Sequence, residues 1–274
     1  MRKQIIEKYF ICPRCGAEMT LTDDGRSTFC LGERRHLWDF SSSGYVNLAP
    51  GTGGDSADCV KARKRFLSLG HYAPLADAVA AAVVRFSDGE SVVDAGCGEG
   101  YYGQRIAKEA GSLIGFDLSR PTVEAAAKRK IQNALFAVVG INAMPIRSES
   151  VSAVTNVFAP CFEGEFCRVL KKGGVVVIAA AGERHLLSLK EAIYESSTLN
   201  TERADLPSSL RLIDESRLTY DFTLDSPEKI SDLFAMTPYY YRTNREPLER
   251  LSRLERLTVN ADFEIKVYKK DQLK

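Results

Sequence analysis

The sequence predicts an α/β fold, with a mostly parallel sheet covered by helices on both faces and a small cysteine-rich module before it. Short apolar runs rich in β-branched residues alternate with helical patterns from about residue 75 to residue 195, and this alternation is typical of parallel sheets. One run, Val92 and Val93 closed by Asp94, breaks into a glycine-rich turn. Because ligands of such folds bind outside the carboxyl ends of the strands, we expect the functional site at that turn.

The composition is that of a globular chain. Of its 274 residues, 45% are hydrophobic and 27% are charged, and the formal net charge is +1. This charge by itself neither indicates nor excludes a nucleic-acid partner. The sequence contains no apolar run long enough to span a bilayer, and its first twenty residues do not resemble a signal peptide. We therefore expect a cytoplasmic protein that binds no membrane.

Four potential metal ligands lie near the start of the chain. Cys12 and Cys15 form a C-x-x-C pair, and Cys30 and His36 follow a stretch of turn-forming residues. Taken singly, Cys30 is compatible with a buried thiol and His36 with a surface imidazole. Together, the three thiolates and the imidazole match the tetrahedral set that Zn²⁺ prefers, with no position left open for catalysis. We predict a structural zinc ion that stabilises a module at residues 1–48.

The cysteine count supports this interpretation. The chain has seven cysteines, an odd number, and three of them lie before residue 31. Such a pattern favours metal binding in a reducing compartment over a framework of disulfide bonds.

Residues 49–73 are predicted to form a linker and a basic helix. Glycine and serine are frequent up to Ser56, and the pattern becomes helical from Ala57. Four cations are interleaved with apolar residues in this helix: Lys61, Arg63, Lys64 and Arg65. They are compatible with an ordinary solvated helix face and equally with a surface that contacts phosphates.

The glycine-rich turn has the spacing of a nucleotide-like cofactor site. Asp94 ends the strand, Gly96, Gly98 and Gly100 follow, and a helix is predicted from Tyr101. Tyr101 stands where a dinucleotide-binding turn has its third glycine, and Asp94 would repel a pyrophosphate but suits a cationic ligand. A plain tight turn remains the alternative. The D-x-G-x-G-x-G pattern resembles motif I of the class I S-adenosylmethionine-dependent methyltransferases, which implies a Rossmann-like domain at residues 74–274.

Asp117 is the expected partner of the glycine turn. It follows the apolar run Ser112 to Phe116 at the end of the next predicted strand, where parallel α/β proteins carry a ribose-binding acid. An acid at this position can also serve only as a helix cap. The two acids and the glycines together predict one cofactor pocket.

The remaining pattern completes the sheet. Further strands are predicted at 135–139, 151–158 and 175–180, with helices at 123–129, 164–170 and 186–195. Two late strands, at 218–224 and 257–269, are expected to form an antiparallel hairpin at the sheet edge. Residues 196–217 are polar, and we expect them to form an insertion that touches substrate.

A longer series of motifs extends from about residue 12 to residue 266. Besides the metal ligands and the glycine turn, it contains Gly44-Tyr45-Val46-Asn47-Leu48, Gly54-Asp55-Ser56, Ala62-Arg63, Gly70-His71-Tyr72, Ala159-Pro160-Cys161, Arg184-His185-Leu186 and Met236-Thr237-Pro238. This order resembles the RlmA family, bacterial 23S ribosomal RNA guanine-N1 methyltransferases. The segment from Gly44 to Tyr72 is the most specific part.

The resemblance implies a cofactor, a metal and a substrate. S-adenosylmethionine would donate the methyl group, zinc would be held by the four ligands named above, and the substrate would be a 23S rRNA hairpin, not DNA. The residues Tyr72, Glu99, Gly100 and His185 would lie against the cofactor. Asn142 stands where many class I enzymes carry an acid near the adenine, and an amide can also hydrogen-bond its edge. The resemblance also implies a homodimer.

The chemistry of guanine constrains the mechanism. Its N1 carries a proton at neutral pH, so the enzyme must align the reacting atoms and provide for that proton, and the target must be unpaired to expose its Watson–Crick edge. Candidates to stack on the base are Phe158 and Tyr239 to Tyr241. Asn156 and the carbonyl group of Ala159 are candidates to orient it, and no catalytic base is assigned.

Two alternatives remain open from the sequence. A methyltransferase of small molecules would use the same glycine turn, although the zinc module and basic helix would then lack an obvious purpose. A non-catalytic, zinc-bearing RNA-binding protein would retain both of these features with a silent cofactor pocket.

Overall fold

Two sheets form the framework. The computed structural model of the chain describes residues 1–49, 51, 53–194, 199–201, 206–241 and 245–271. The strands are β1 (Met19–Leu21), β2 (Ser27–Cys30), β3 (Leu37–Asp39), β4 (Val46–Asn47), β5 (Ser91–Ala95), β6 (Ser112–Asp117), β7 (Ala134–Val138), β8 (Val151–Val157), β9 (Leu170–Ala181), β10 (Arg211–Leu224) and β11 (Leu257–Lys269). The helices are α1 (Arg2–Tyr9), α2 (Ala57–Ser68), α3 (Ala73–Phe86), α4 (Tyr101–Ile106), α5 (Arg120–Ala127), α6 (Glu163–Val169), α7 (Leu187–Ile193), α8 (Pro227–Ala235) and α9 (Arg245–Ser252), with a 3-10 helix at Pro238–Tyr241.

The large sheet is mostly parallel, as predicted. Its order is β10-β11-β9-β8-β5-β6-β7-β4, and the strands from β9 to β4 are parallel to one another. At the other edge, β11 pairs antiparallel with β9 and with β10, which confirms the late hairpin. All residues of β5 and β8 are buried. This continuous burial explains why these strands read as apolar runs without alternation.

Helices cover both faces of this sheet. One apolar core joins the sheet to α2, α3, α4, α5, α7, α8 and α9. A second core, on the opposite face, contains residues of α1, of α6 and of the cysteine-rich module. The class I methyltransferase architecture predicted from the sequence is therefore confirmed.

Helix α1 has a place in the fold that the sequence did not reveal. No helix lies between β7 and β8, where residues 139–150 are all described. Ile5, Ile6 and Tyr9 of α1 are buried in the second core, together with Ile114 of β6 and Leu135 of β7. The amino-terminal helix thus covers the sheet face that a helix between β7 and β8 would otherwise cover.

The cysteine-rich module is joined closely to the large sheet. Its strands β1, β2 and β3 form a small antiparallel sheet, and β4, which follows, pairs with β7 of the large sheet. The Phe10 ring lies edge-on to Phe116, with 5.9 Å between ring centroids. The boundary at residue 48 stays a prediction, but this module shares its core with the sheet.

Two predicted boundaries differ in the structure. Strand β9 begins at Leu170, five residues before the predicted start at residue 175. Part of the predicted insertion at 196–217 is also strand, because Arg211–Leu224 pairs along its length with β11. Within that insertion, residues 196–198 and 202–205 lie outside the described part of the chain.

Among the described helices, none is by itself long and apolar enough to cross a membrane. Only α2 and α3, which are bent relative to each other, reach that length and apolar content when they are taken together.

Candidate functional site

The glycine turn forms a cradle at the carboxyl end of β5. Gly96, Gly98 and Gly100 have φ angles of +83°, +53° and +81°, a region that favours glycine. A Cβ atom on Gly96 would lie 2.5 Å from the Cβ atom of Ala159, so a side chain is excluded there. A Cβ atom on Gly98 would meet nothing within 4 Å. The backbone at Gly98 is therefore open to a ligand.

Asp94 lies beneath this cradle with one oxygen unpaired. The carboxyl group is buried, and the Thr155 hydroxyl donates a hydrogen bond of 2.9 Å to Oδ1. Oδ2 has no hydrogen-bond partner. Burial raises the pKa of Asp94 to about 7, against the opposing effect of the Thr155 hydrogen bond. A buried acid of this kind is ready to accept a cation or a hydrogen-bond donor from a ligand.

Asp117 faces the same cradle from the end of β6. Its Oδ2 accepts a hydrogen bond from the Gly98 backbone N–H at 3.2 Å, and its Oδ1 accepts one from Ser119 N–H at 2.9 Å. Burial raises the pKa of Asp117, and these two backbone hydrogen bonds oppose that rise. The carboxylate is thus placed beside the glycine turn, where it can accept the hydroxyl groups of a ribose.

Glu99 supplies a third buried carboxyl group. Arg129 forms an ion pair with Oε2, and its Nε donates to the Glu99 carbonyl oxygen at 2.7 Å. The other carboxylate oxygen, Oε1, is buried without a hydrogen-bond partner. Arg129 was not predicted from the sequence, because nothing local links it to the glycine turn. It fixes Glu99 with one oxygen left for a ligand.

Asn142 lies in the turn that follows β7. The side chain is exposed, and a Cβ atom on Gly140 would lie 2.7 Å from its Oδ1. Strand β7 is the neighbour of β6, which ends in Asp117. Asn142 therefore lies one strand beyond Asp117 along the same edge of the sheet.

Tyr72 and His185 close the other side of the site. The Tyr72 hydroxyl oxygen lies 3.3 Å from His185 Nε2, and the backbone N–H of Asp262 donates to Nδ1 at 3.3 Å. Because Nδ1 accepts this hydrogen bond, we assign the ring proton to Nε2. Burial lowers the pKa of His185 to about 4. The imidazole is therefore neutral at physiological pH.

Asp262 holds the turn that carries His185, a role that the sequence did not indicate. Its carboxylate accepts two hydrogen bonds of 2.7 Å from Arg217 and one of 2.8 Å from the Arg184 backbone N–H. A Cβ atom on Gly182 would lie 2.6 Å from this carboxylate, so only glycine fits. These contacts span strands that are distant in the sequence, so no local pattern could reveal them.

Phe158 is an exposed aromatic residue at the mouth of the site. It follows β8, has a φ of +54° and is 44% exposed. Its ring stacks on His185 with centroids 5.9 Å apart and an interplanar angle of 24°. A left-handed backbone at a bulky residue costs energy and often marks functional sites. One face of a base can pack on this ring.

The other predicted base contacts are placed differently. Tyr239 is half-buried and Tyr240 is exposed, whereas the side chain of Tyr241 lies outside the described part of the structure. Asn156 is fully buried, and its amide donates to the carbonyl groups of Ala95 at 3.3 Å and Pro160 at 3.1 Å. These contacts join Asn156 to the turn that carries Ala159, and its role in orienting the base stays a prediction.

These residues lie in one row along the carboxyl edge of the sheet. In order, the strands β7, β6, β5, β8 and β9 lead to Asn142, Asp117, the glycine turn, Phe158 and His185. Neighbouring strands are about 4.8 Å apart, so the row from β6 to β9 spans roughly 14 Å. A ligand elongated along this edge could contact all of these residues.

The predicted metal ligands converge in the amino-terminal module. One ligand atom each from Cys12, Cys15, Cys30 and His36 lies within 4.8 Å of all the others. His36 Nδ1 is 3.5 Å from Cys12 Sγ and 3.4 Å from Cys30 Sγ. Tetrahedral zinc with bonds of about 2.3 Å to sulfur needs sulfur atoms roughly 3.8 Å apart, and the Cys15 and Cys30 sulfur atoms are 3.7 Å apart. The four residues fit a structural zinc ion.

Backbone groups also support thiolate ligands. The N–H groups of Arg14 and His36 donate to the Cys12 and Cys30 sulfur atoms at 3.4 Å and 3.2 Å. Burial would raise the pKa of Cys30, but hydrogen bonds from the backbone of His36 and Gly32 lower it to about 6. A thiolate is thus favoured at Cys30, whereas burial raises the pKa of Cys12 to about 11.

The four cations of α2 do not form one surface. Lys61 and Lys64 are exposed, and Lys61 Nζ lies 3.1 Å from Asp58. Arg65 forms an ion pair with Asp232. Arg63 is different, since its side chain is only 21% exposed and pairs with Asp55. The solvated face of this helix therefore excludes Arg63.

Comparisons with known proteins agree with this geometry. The family described as "Methyltransferase domain" matches residues 86–223, just over half of the chain. A Streptomyces fradiae protein named "23S rRNA (guanine(748)-N(1))-methyltransferase" is 29% identical over 282 residues, which cover 97% of this chain and 98% of the relative. A Micromonospora griseorubida protein named "Putative 23S rRNA (guanine-N(1)-)-methyltransferase" is 30% identical over 202 residues, 66% of this chain and 68% of the relative.

A solved structure supports the fold independently. The "Putative Type II Methyltransferase from Anaeromyxobacter dehalogenans" has a TM-score of 0.51 and 15% identity, covering 71% of this chain and 95% of that chain. At this identity the likeness concerns the fold alone.

Proposed function

We propose, from the premise that this chain belongs to the family of 23S rRNA guanine-N1 methyltransferases, that it methylates N1 of a guanine in a hairpin loop of 23S ribosomal RNA. The methyl donor is S-adenosylmethionine, which follows from the family. Bound in the crevice, the cofactor would supply an activated methyl group, and the chain's own residues would orient it and the base.

The observation that carries the proposal is the set of buried acids around Gly98. Asp94 and Glu99 each have one buried carboxylate oxygen without a partner, and Asp117 lies beside the same turn. A buried carboxylate oxygen without a hydrogen-bond partner is costly unless a ligand completes it. A ligand with cationic groups and a ribose diol fits this set, whereas a pyrophosphate would be repelled. We therefore place the cofactor across the glycine turn, with its ribose at Asp117.

Phe158 is our candidate to hold the target base. A guanine stacked on this exposed ring would lie beside the end of β8, where the Ala159 carbonyl group is the candidate to orient it. His185 stacks on the opposite side of Phe158. Because its Nδ1 accepts the Asp262 N–H and its Nε2 carries the proton, His185 has no free lone pair to take the guanine proton. We assign it a role in shaping the pocket.

We propose that the zinc module and α2 contact the RNA. Two arginines lie over aromatic rings of the module, with Arg35 3.6 Å from the Phe29 centroid and Arg14 5.9 Å from that of Trp38. Cations next to flat rings suit phosphates and unpaired bases. The exposed Lys61 and Lys64 add positive charge on α2. We further propose that the enzyme acts in the cytoplasm as a homodimer on this RNA.

Transfer of a labelled methyl group tests the proposal. The full chain is incubated with S-adenosylmethionine labelled in the methyl group and with unmodified large-subunit RNA, and the RNA is digested to nucleosides. Label in 1-methylguanosine is the expected result. A parallel incubation replaces the RNA with the small-molecule fraction of a cell extract. Label only there would indicate a small-molecule methyltransferase, and RNA binding with no label in either incubation would indicate a non-catalytic binder.

A further inference from the structure

The segment before α2 packs directly on the ribose-binding turn. Gly54 has a φ of +81°, and a Cβ atom there would lie 2.6 Å from Ser119 Cβ and 3.0 Å from the Ser119 nitrogen. The Ser119 hydroxyl donates a hydrogen bond of 2.8 Å to the Asp55 carbonyl oxygen. Ser119 in turn donates its N–H to Asp117. Ser119 thus links Gly54 and Asp55 to Asp117, the acid of the proposed cofactor site.

An ion pair holds this segment in place. Arg63 Nη2 lies 2.5 Å from Asp55 Oδ2, with the two side chains only 21% and 32% exposed. The pair joins the segment before α2 to the second turn of that helix. Because both groups are largely removed from water, the attraction between them is screened less than in an exposed pair.

The charge of Arg63 also acts on Asp117. Burial would lower the pKa of Arg63, but the charge of Asp55 and its hydrogen bond to the guanidinium, with a smaller effect from Asp117, keep it above its usual value. For Asp117, burial raises the pKa, the hydrogen bonds from Ser119 and Gly98 oppose that rise, and the charge of Asp55 adds to it while the charge of Arg63 lowers it. Arg63 thus offsets the repulsion that Asp55 exerts on the acid expected to accept the ribose hydroxyl groups.

We propose that Arg63 and Asp55 are positioning residues of the S-adenosylmethionine site, which pin the segment at Gly54 against Ser119 and through Ser119 hold Asp117 in place. This inference rests on the proposed function for the identity of the cofactor. Under this proposal Arg63 does not contact RNA. The Asp55 and Arg63 side chains instead support the cofactor site.

Calorimetry on the full chain without RNA tests the proposal. Arg63→Gln is expected to weaken S-adenosylmethionine binding about tenfold, equivalent to about 1.4 kcal/mol, and Asp55→Asn to weaken it in the same direction. Arg63→Lys retains the charge and is expected to restore most of the affinity. The matched control, Arg65→Gln, removes a cation and an ion pair from the same helix and should leave the affinity unchanged. In turnover assays, Arg63→Gln should raise KM for the cofactor with kcat intact.

A double-mutant cycle separates this role from a merely structural one. If Arg63 acts through Asp117, then Arg63→Gln adds little to the loss already caused by Asp117→Asn. Additive losses, or equal cofactor affinity of Arg63→Gln and the wild-type chain, would overturn the inference and leave the proposed function standing. A wild-type chain that does not bind S-adenosylmethionine would overturn both.

Discussion

The Tyr72 hydroxyl oxygen lies 3.3 Å from His185 Nε2, which joins the start of α3 to the end of β9 across 113 residues of sequence. Both side chains are buried, and Tyr72 also packs edge-on against Phe66 and Phe263. The contact fixes a neutral imidazole behind Phe158. The surroundings of Phe158, our proposed platform for the base, are therefore held in place by contacts within the protein.

His185 is expected to stay neutral well below the usual pH for histidine. Burial lowers its pKa from 6.5 to about 4. The unfolded chain takes up this proton near pH 6.5 and the folded chain does not, so this contribution to stability is lost as the pH falls from about 6.5 to 4. NMR titration of the three histidines checks this, with the His185→Gln variant identifying the signal. A His185 ring that titrates above pH 6 would contradict the assignment.

Asp94→Asn is expected to stabilise the fold while it weakens cofactor binding. Burial raises the Asp94 pKa from 3.8 to about 7, so the folded chain holds a proton that the unfolded chain loses, and stability falls as the pH rises through that window. Replacing the acid should raise the free energy of unfolding at pH 8 by about 2 kcal/mol. Urea unfolding at pH 4 and pH 8 measures this. Thr155→Val is the comparison, since it removes a partner but leaves the acid, and it should destabilise the fold.

Phe158→Ala is expected to lower methyl transfer to RNA about tenfold or more, because stacking on an aromatic ring contributes about 1–3 kcal/mol per base. Affinity for S-adenosylmethionine, measured without RNA, should change little. Phe162→Ala removes another exposed aromatic side chain nearby and serves as the control. Equal transfer rates in the two variants would rule out Phe158 as the platform for the base.

Cys15→Ser is expected to lose most of the zinc. The wild-type chain should contain about one zinc ion per chain, as a tetrahedral site with four protein ligands requires, and loss of one ligand should also lower the thermal stability of the module. Elemental analysis of the purified protein measures the metal content. Cys167→Ser is the matched control, since Cys167 lies outside the ligand cluster. Full zinc content in Cys15→Ser would refute the site.

The parts of the molecule that the sequence predicted well depend on local patterns. The turn from Asp94 to Gly100 lies between a strand and a helix that are adjacent in sequence, and Asp117 ends the next strand. The metal ligands also lie within 25 residues of one another. In each case the spacing alone restricts the geometry, so the pattern was sufficient.

The missed features depend on distant contacts. Asp262 holds the His185 turn from a strand 77 residues away, and Arg129 reaches Glu99 across 30 residues. Helix α1 was missed because few of its eight residues are apolar, and its place is set by the bare face of the sheet. Burial also distinguished Arg63 from Lys61 and Lys64, which the helical pattern could not do.

The most direct test of the account is the 1-methylguanosine content of 23S rRNA from cells with and without this gene. Digestion and mass spectrometry give the content, and a block to reverse transcription locates the modified nucleotide. We expect one guanine in a hairpin loop to lose its N1 methyl group in the deletion strain and to regain it on complementation with the wild-type gene but not with a gene lacking the Asp117 carboxylate. Identical 1-methylguanosine at every site in the two strains would contradict the account.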